Sequence, residues 1–151
     1  MVLTPGSSFT IGLVGTLIGA AAALAAVVLR HKLDTRRRKR VLRSSLLSEI
    51  RSTEWLTEDY LGDLKRNLNE RGAVHSHVPT SVYDGCDDKL GLLNEDERQK
   101  VIDYYTYAHI ASEQLSEVRR DQGDVTNLVE GTLDTMVSRR EGVVEALEDN
   151  L

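Results

Sequence analysis

Phe9 to Leu29 reads FTIGLVGTLIGAAAALAAVVL, a stretch of 21 residues with no charge and no proline. As a helix rising ~1.5 Å per residue it reaches about 30 Å, the thickness of a bilayer's hydrocarbon core. Directly behind it stand Arg30, Lys32, Arg36, Arg37, Arg38, Lys39, Arg40 and Arg43, a dense cationic collar. An apolar run closed by such a collar is the signature of a membrane anchor, and the rest of the chain is organised around it.

The eight residues in front, MVLTPGSS, carry no side-chain charge. A cleaved secretory leader places basic residues ahead of a shorter apolar core. Here the core is longer and the positive charge lies behind it, which favours an uncleaved single-pass anchor. The positive-inside rule then puts the N-terminus outside and the C-terminal part in the cytoplasm. Within the span, Gly15, Gly19 and Ala23 recur every four residues and line one helix face. Close approach of a second helix and a chance product of an Ala/Gly-rich run explain this spacing about equally well. Arg36, Arg37, Arg38, Lys39 and Arg40 form the densest part of the collar. Beside a span, topology and attraction to anionic headgroups account for them more economically than nucleic acid does.

Charge divides the chain unevenly. Residues 1–43 hold 8 Lys or Arg against Asp34, a net of +7; residues 44–151 hold 11 basic and 23 acidic side chains, a net of −12, and the two sum to −5. So acidic a second part repels nucleic acid and anionic lipid. Arginine (14) outnumbers lysine (5), and few lysines among many carboxylates suit a surface adapted to molar salt, as in halophilic archaea and their viruses. One cysteine, Cys86, excludes an internal disulfide; a small buried or half-buried residue is its commoner reading.

From Val41 to about Arg71, Leu42, Leu46, Leu47, Ile50, Leu56, Tyr60, Leu61, Leu64 and Leu68 recur at three- and four-residue spacing, predicting one amphipathic helix stopped by Gly72. Trp55 lies off that stripe. Pro79 breaks the pattern, and Thr80 or Ser81 can cap a short helix to about Leu90. Asn94 with Glu97 forms an Asn-type capping box for a helix carrying Val101, Ile102, Tyr105, Ala108, Leu115 and Val118, with Tyr104 and Tyr107 at its rim. That helix fades near Gln122-Gly123. Asp124 caps the last one, whose stripe is Val125, Leu128, Val129, Leu133, Met136, Val137, Val143, Val144, Leu147 and Leu151. Its subset 129, 133, 136, (140), 143, 147 is nearly heptad, with Arg140 as the interruption, so packing in a bundle and a projecting coiled coil both fit. Gly131 and Gly142 weaken it by about 1 kcal/mol each relative to Ala. No run alternates with period two between hairpin turns. The expected fold is all-α: one N-terminal transmembrane helix, then a small antiparallel bundle of three long helices and a short one. The expected parts are a tail (1–8), the span (9–29), a basic juxtamembrane segment (30–43) and an acidic helical domain (44–151).

Residues 46–64, LLSEIRSTEWLTEDYLGDL, and 78–105, VPTSVYDGCDDKLGLLNEDERQKVIDYY, carry L-x-x-E-I, P-T-x-x-Y and L-G-L-L in sequence. In these motifs the chain resembles a scattered class of prokaryotic and viral membrane proteins with one N-terminal span and a small cytoplasmic helical domain. The match covers about residues 46–115. The class has no established activity, so the resemblance implies architecture and nothing catalytic.

For chemistry, His75, His77, Asp84, Cys86, Asp87 and Asp88 offer imidazole, thiolate and carboxylate to a metal such as zinc, but at no defined ligand spacing. Solvated polar residues and a helix cap are the commoner fate of such a loop. His109 falls mid-helix and His31 in the collar. No phosphate-cradling glycine loop, nucleophile elbow or H-E-x-x-H is present, and no cofactor is implied. Three functional expectations remain. The first is a membrane-anchored interaction or scaffold protein without catalytic activity, meeting protein partners or its own copies at the cytoplasmic face. The second is a span-driven oligomer with a holin-like or assembly role. The third is a metal-dependent sensor built on the His75–Asp88 loop.

Overall fold

The computed structural model describes residues 5–57, 78–118 and 126–151, with side chains from Gly19 onward in the first segment. Its described residues are helical, without strands. Helix α1 runs from Pro5 to Arg51, 47 residues, with proline at the first helical position, where its missing N–H is no loss. The short α2 is Ser81–Asp84, followed by a 3-10 segment, Asp87–Leu92. Helix α3 is Glu95–Val118 and α4 is Thr126–Glu148.

The chain divides into two compact units, Met1–Arg38 and Lys39–Leu151. In the first, the described side chains from Gly19 to Asp34 are all exposed, Leu24, Val27, Val28 and Leu29 among them. Among the described residues no helix is long and apolar enough to cross a membrane; the side chains of residues 5–18, which include the first half of the apolar stretch, lie outside that description. Gly19 and Ala23 are exposed and the Cβ position of Gly19 faces open space, while the Gly15 side of that stripe is outside the described side chains.

The second unit is a bundle. Leu46 and Ile50 from α1, Tyr104, Tyr105 and Leu115 from α3, and Leu133, Met136 and Leu147 from α4 close its core. Arg43 of α1 meets Glu97, at the start of α3, and Thr53, just past the end of α1, meets Tyr104 further along α3, so these helices run parallel. Arg43 also reaches Asn150, and Arg140 reaches Thr53, so α4 runs antiparallel to α1. A fully antiparallel bundle is therefore corrected to a mixed one: the connection between Arg51 and Glu95 returns the chain to the end from which the domain part of α1 set out.

Helix α1 stops at Arg51, twenty residues short of the predicted end. The N–H groups of Thr53, Glu54 and Leu56 bond carbonyls three residues back, tightening the chain out of the α-helix. Ser52 Oγ and Thr53 Oγ1 also take the carbonyls of Glu49 and Ile50, at 2.6 Å each, the competition that makes Ser and Thr poor helix interiors. The predicted continuation through Tyr60, Leu61, Leu64 and Leu68 to Gly72 lies outside the described residues, as do Gln122, Gly123, Asp124 and Val125.

Three side chains depart from their predicted places. Tyr104 is fully buried rather than at the rim, because the Thr53 hydroxyl, 2.9 Å away, satisfies its OH inside the core. Leu128 and Leu151 are exposed; the buried face of α4 is the narrower near-heptad set Val129, Leu133, Met136, Val143 and Leu147. Helix α4 is thus a bundle member packed against α3, not a projecting coil.

Candidate functional site

The domain's interior holds two buried carboxylates, each built into a clamp. Glu49 stands one residue before Ile50 on the packed face of α1. Its Oε1 accepts from Ser81 Oγ (3.1 Å) and the Val82 N–H (2.7 Å), and its Oε2 from the Tyr83 N–H (3.1 Å) and Tyr105 OH (2.8 Å). A carboxylate has about four acceptor positions, and all four are filled. Glu49 thus does from a distance what an N-cap does locally. The residue predicted for that task, Thr80, makes no side-chain cap bond; its hydroxyl donates instead to Asp84 Oδ2 at 3.0 Å.

Glu97 closes the capping box: the Asn94 N–H donates to Glu97 Oε2 and the Glu97 N–H to Asn94 Oδ1, each at 2.9 Å. The same carboxylate takes a two-pronged contact from Arg43, Nε to Oε1 at 2.8 Å and Nη2 to Oε2 at 3.0 Å, with Glu97 fully buried. The third arm of Arg43 donates to the Asn150 carbonyl at 2.8 Å. Arg43, which reads on sequence as the last residue of the collar, is a core residue of the domain. Arg40 is exposed, with Nε bonded to the Leu151 carbonyl at 3.1 Å.

Arg140, the break in the near-heptad series, donates to the carbonyls of Thr53 (2.8 Å) and Leu56 (3.1 Å). Both carbonyls belong to the turn that follows α1, so Arg140 pins that turn to α4 and sets positive charge where a helix C-terminus favours it. A shallow groove of about 530 Å³ beside it is edged by Arg51, Glu54, Ser138 and Glu141. Arg51 in turn pairs with Glu148.

A stack of rings leads outward from Glu49. Tyr83 lies over Tyr105 at 4.2 Å between centroids, nearly parallel, and Tyr104 meets Tyr105 edge-on at 5.2 Å. His109 comes next at 6.0 Å from Tyr83, with Nε2 3.1 Å from Asp84 Oδ1, both half-exposed. The residues read as metal ligands do not gather at one point. Asp84 uses one oxygen for Thr80 and the other for His109. Cys86 is buried, its Sγ 3.3 Å from the Tyr83 carbonyl. Asp88 is exposed beside Lys89. His75 and His77 lie outside the described residues, and the side chain of Asp87 does too. Among the described residues no three His, Cys, Asp or Glu side chains converge as a metal would need.

Burial is the main cause that pushes the Tyr104 and Tyr105 hydroxyls above the ordinary tyrosine range, and the negative Glu49 adds to it at Tyr105. A raised folded-state pKa means the native state keeps protons that the unfolded chain releases. Stability from these two groups is therefore complete below pH ~10, the unfolded tyrosine value, and falls as pH rises beyond it, by up to about 1.4 kcal/mol per pH unit for each. Urea midpoints taken from pH 8 to 11 should drop steeply in the upper part of that range. The Y104F/Y105F double variant should be less stable at neutral pH and show a flatter alkaline slope.

Of these features the sequence announced the capping box alone. Arg43 falls between Ile50 and Leu47 on the wheel of α1, inside the apolar stripe, which was the available sign of a buried cation. Glu49, at the edge of the same stripe, gave a weaker sign of the same kind. No family model matches the chain, and neither a curated protein nor a solved structure matches it.

Proposed function

We propose that the protein is a membrane-anchored helical scaffold: residues 9–29 sit in a bilayer and hold the acidic bundle at the cytoplasmic face. The observation that carries this reading is the surface of α1. Gly19 to Leu29 contains no charge, and its side chains are exposed on every side of the helix. A helix apolar all round is a core element or a membrane span, and among the described residues nothing covers this segment. The cations from Arg30 onward favour the cytoplasmic side for the domain behind them. Within the bundle, the acceptor positions of Glu49 are all taken by the fold, and those of Glu97 are nearly so, which supports an interaction role over a catalytic one.

The test is fractionation of the full chain expressed in cells. It should pellet with membranes and resist alkaline carbonate. Arginine at mid-span opposes insertion by about 2.5–3.5 kcal/mol per residue, so L17R/A20R should shift most of the protein out of the carbonate-resistant fraction. Wild-type protein found in the carbonate supernatant would overturn the anchor.

A further inference from the structure

We propose that Arg30, Lys32, Arg36, Arg37 and Arg38 form a ring that binds anionic phospholipid headgroups; the inference rests on the anchor reading and names the ligand of its collar. Two observations carry it. The first is that these cations are exposed and, among the described residues, make no hydrogen bond or ion pair, not even with Asp34 in their midst. In the second unit, by contrast, Arg43, Arg51, Arg139 and Arg140 each hold a carboxylate or a backbone carbonyl.

The second observation is their placement. At ~100° per residue the five cations leave no gap wider than about 120° around the helix. They occupy about 12 Å of its length at ~1.5 Å per residue. A nucleic acid lies along one side of a helix and calls for a stripe of cations. A headgroup layer encloses a helix from all sides and calls for a ring, placed where this one is, directly behind the apolar residues. Four of the five are arginines, whose planar fork grips phosphate oxygens in pairs and holds that contact better than a point charge does.

The full chain is reconstituted into vesicles of phosphatidylcholine with about one third phosphatidylglycerol, then extracted in mild detergent, and the lipid retained on the protein is measured. A single cation near the surface is worth about fivefold in anionic-lipid binding. The retained phosphatidylglycerol should therefore exceed its share in the vesicles by about fivefold or more. R36Q/R37Q/R38Q should lower the enrichment several-fold, Arg30 and Lys32 holding the remainder, and R36K/R37K/R38K should keep most of it. Incorporation with lipid retained at the vesicle ratio overturns the ring and leaves the anchor. Failure to enter vesicles, with or without phosphatidylglycerol, overturns the anchor and the ring with it. Loss of enrichment when inorganic phosphate is added at ~10 mM assigns the ring to free phosphate and overturns the bilayer as its ligand. Nucleic acid retained by the full chain and lost in R36Q/R37Q/R38Q, with no phosphatidylglycerol enrichment before or after nuclease treatment, overturns it in favour of that polymer.

Discussion

Replacing Arg43 with alanine is expected to destabilise the helical domain by about 3–5 kcal/mol, the range for removing one partner of a buried ion pair. Glu97 is fully buried, and Arg43 makes two of its three hydrogen bonds. Without the guanidinium the carboxylate keeps the Asn94 N–H and little else, in a core too dry to carry a bare charge. The contact to the Asn150 carbonyl is lost as well. Two further variants separate these effects. In R43K a point charge replaces the fork, so one bond survives where two stood, and an intermediate loss is expected. In R43A/E97Q the buried charge is removed while glutamine still accepts from Asn94, since Gln serves at this capping-box position as Glu does. If the stranded charge is the main term, the double variant should be more stable than R43A by about 1–2 kcal/mol. Urea unfolding of the full chain in mild detergent, tracked by the fluorescence of the single Trp55, reads all three. A double variant no better than R43A would assign the deficit to lost packing and to the Asn150 contact.

The contrast between Glu97 and Glu49 shows what a sequence can display of such a fold. The capping box is local: Asn94 and Glu97 lie three residues apart, so their types and spacing announce the geometry found at 2.9 Å in both directions. The buried series Val129, Leu133, Met136, Val143, Leu147 was legible for the same reason, as a period along one helix. The partners of Glu49 stand 32 to 56 residues away, and Arg140 reaches carbonyls 84 and 87 residues away. Neither partnership leaves a local pattern. The end of α1 is not legible in the apolar spacing, which continues past Arg51; what ends the helix is Ser52 and Thr53, whose hydroxyls donate back to the carbonyls of Glu49 and Ile50, and the turn behind them, whose carbonyls Arg140 holds. The parallel course of α1 and α3 escaped for a related reason: periodicity locates helices, and the connection between them decides their direction.

Glu49→Ala is expected to rival Arg43→Ala in size and to differ in kind. Four donors converge on this carboxylate, two of them backbone N–H groups that begin α2. Each buried donor left unsatisfied costs about 1–3 kcal/mol. The segment from Val78 to Leu93 can relax toward water and recover part of that, which brings the expected loss to about 3–5 kcal/mol. Relaxation is itself the diagnostic. In the native chain the N–H groups of Val82 and Tyr83 should exchange slowly with solvent, because both donate to a carboxylate that is buried. In the variant their exchange should accelerate at least about tenfold more than that of Val101 or Ala108 in α3, since 1.4 kcal/mol of local opening corresponds to a factor of ten. Glu49→Gln is the sharper comparison. It keeps the volume and one acceptor oxygen, but turns an NH2 group toward two donors that need an acceptor, so it should lie between wild type and alanine. Combining Glu49→Ala with Tyr105→Phe tests the clamp as a unit. Once Glu49 is gone, the Tyr105 hydroxyl is a buried donor without its acceptor, and its removal should cost clearly less than in the native background. Strictly additive losses would mean that Glu49 and Tyr105 stabilise the domain independently, and that the bonds of Glu49 to α2 do not depend on the tyrosine.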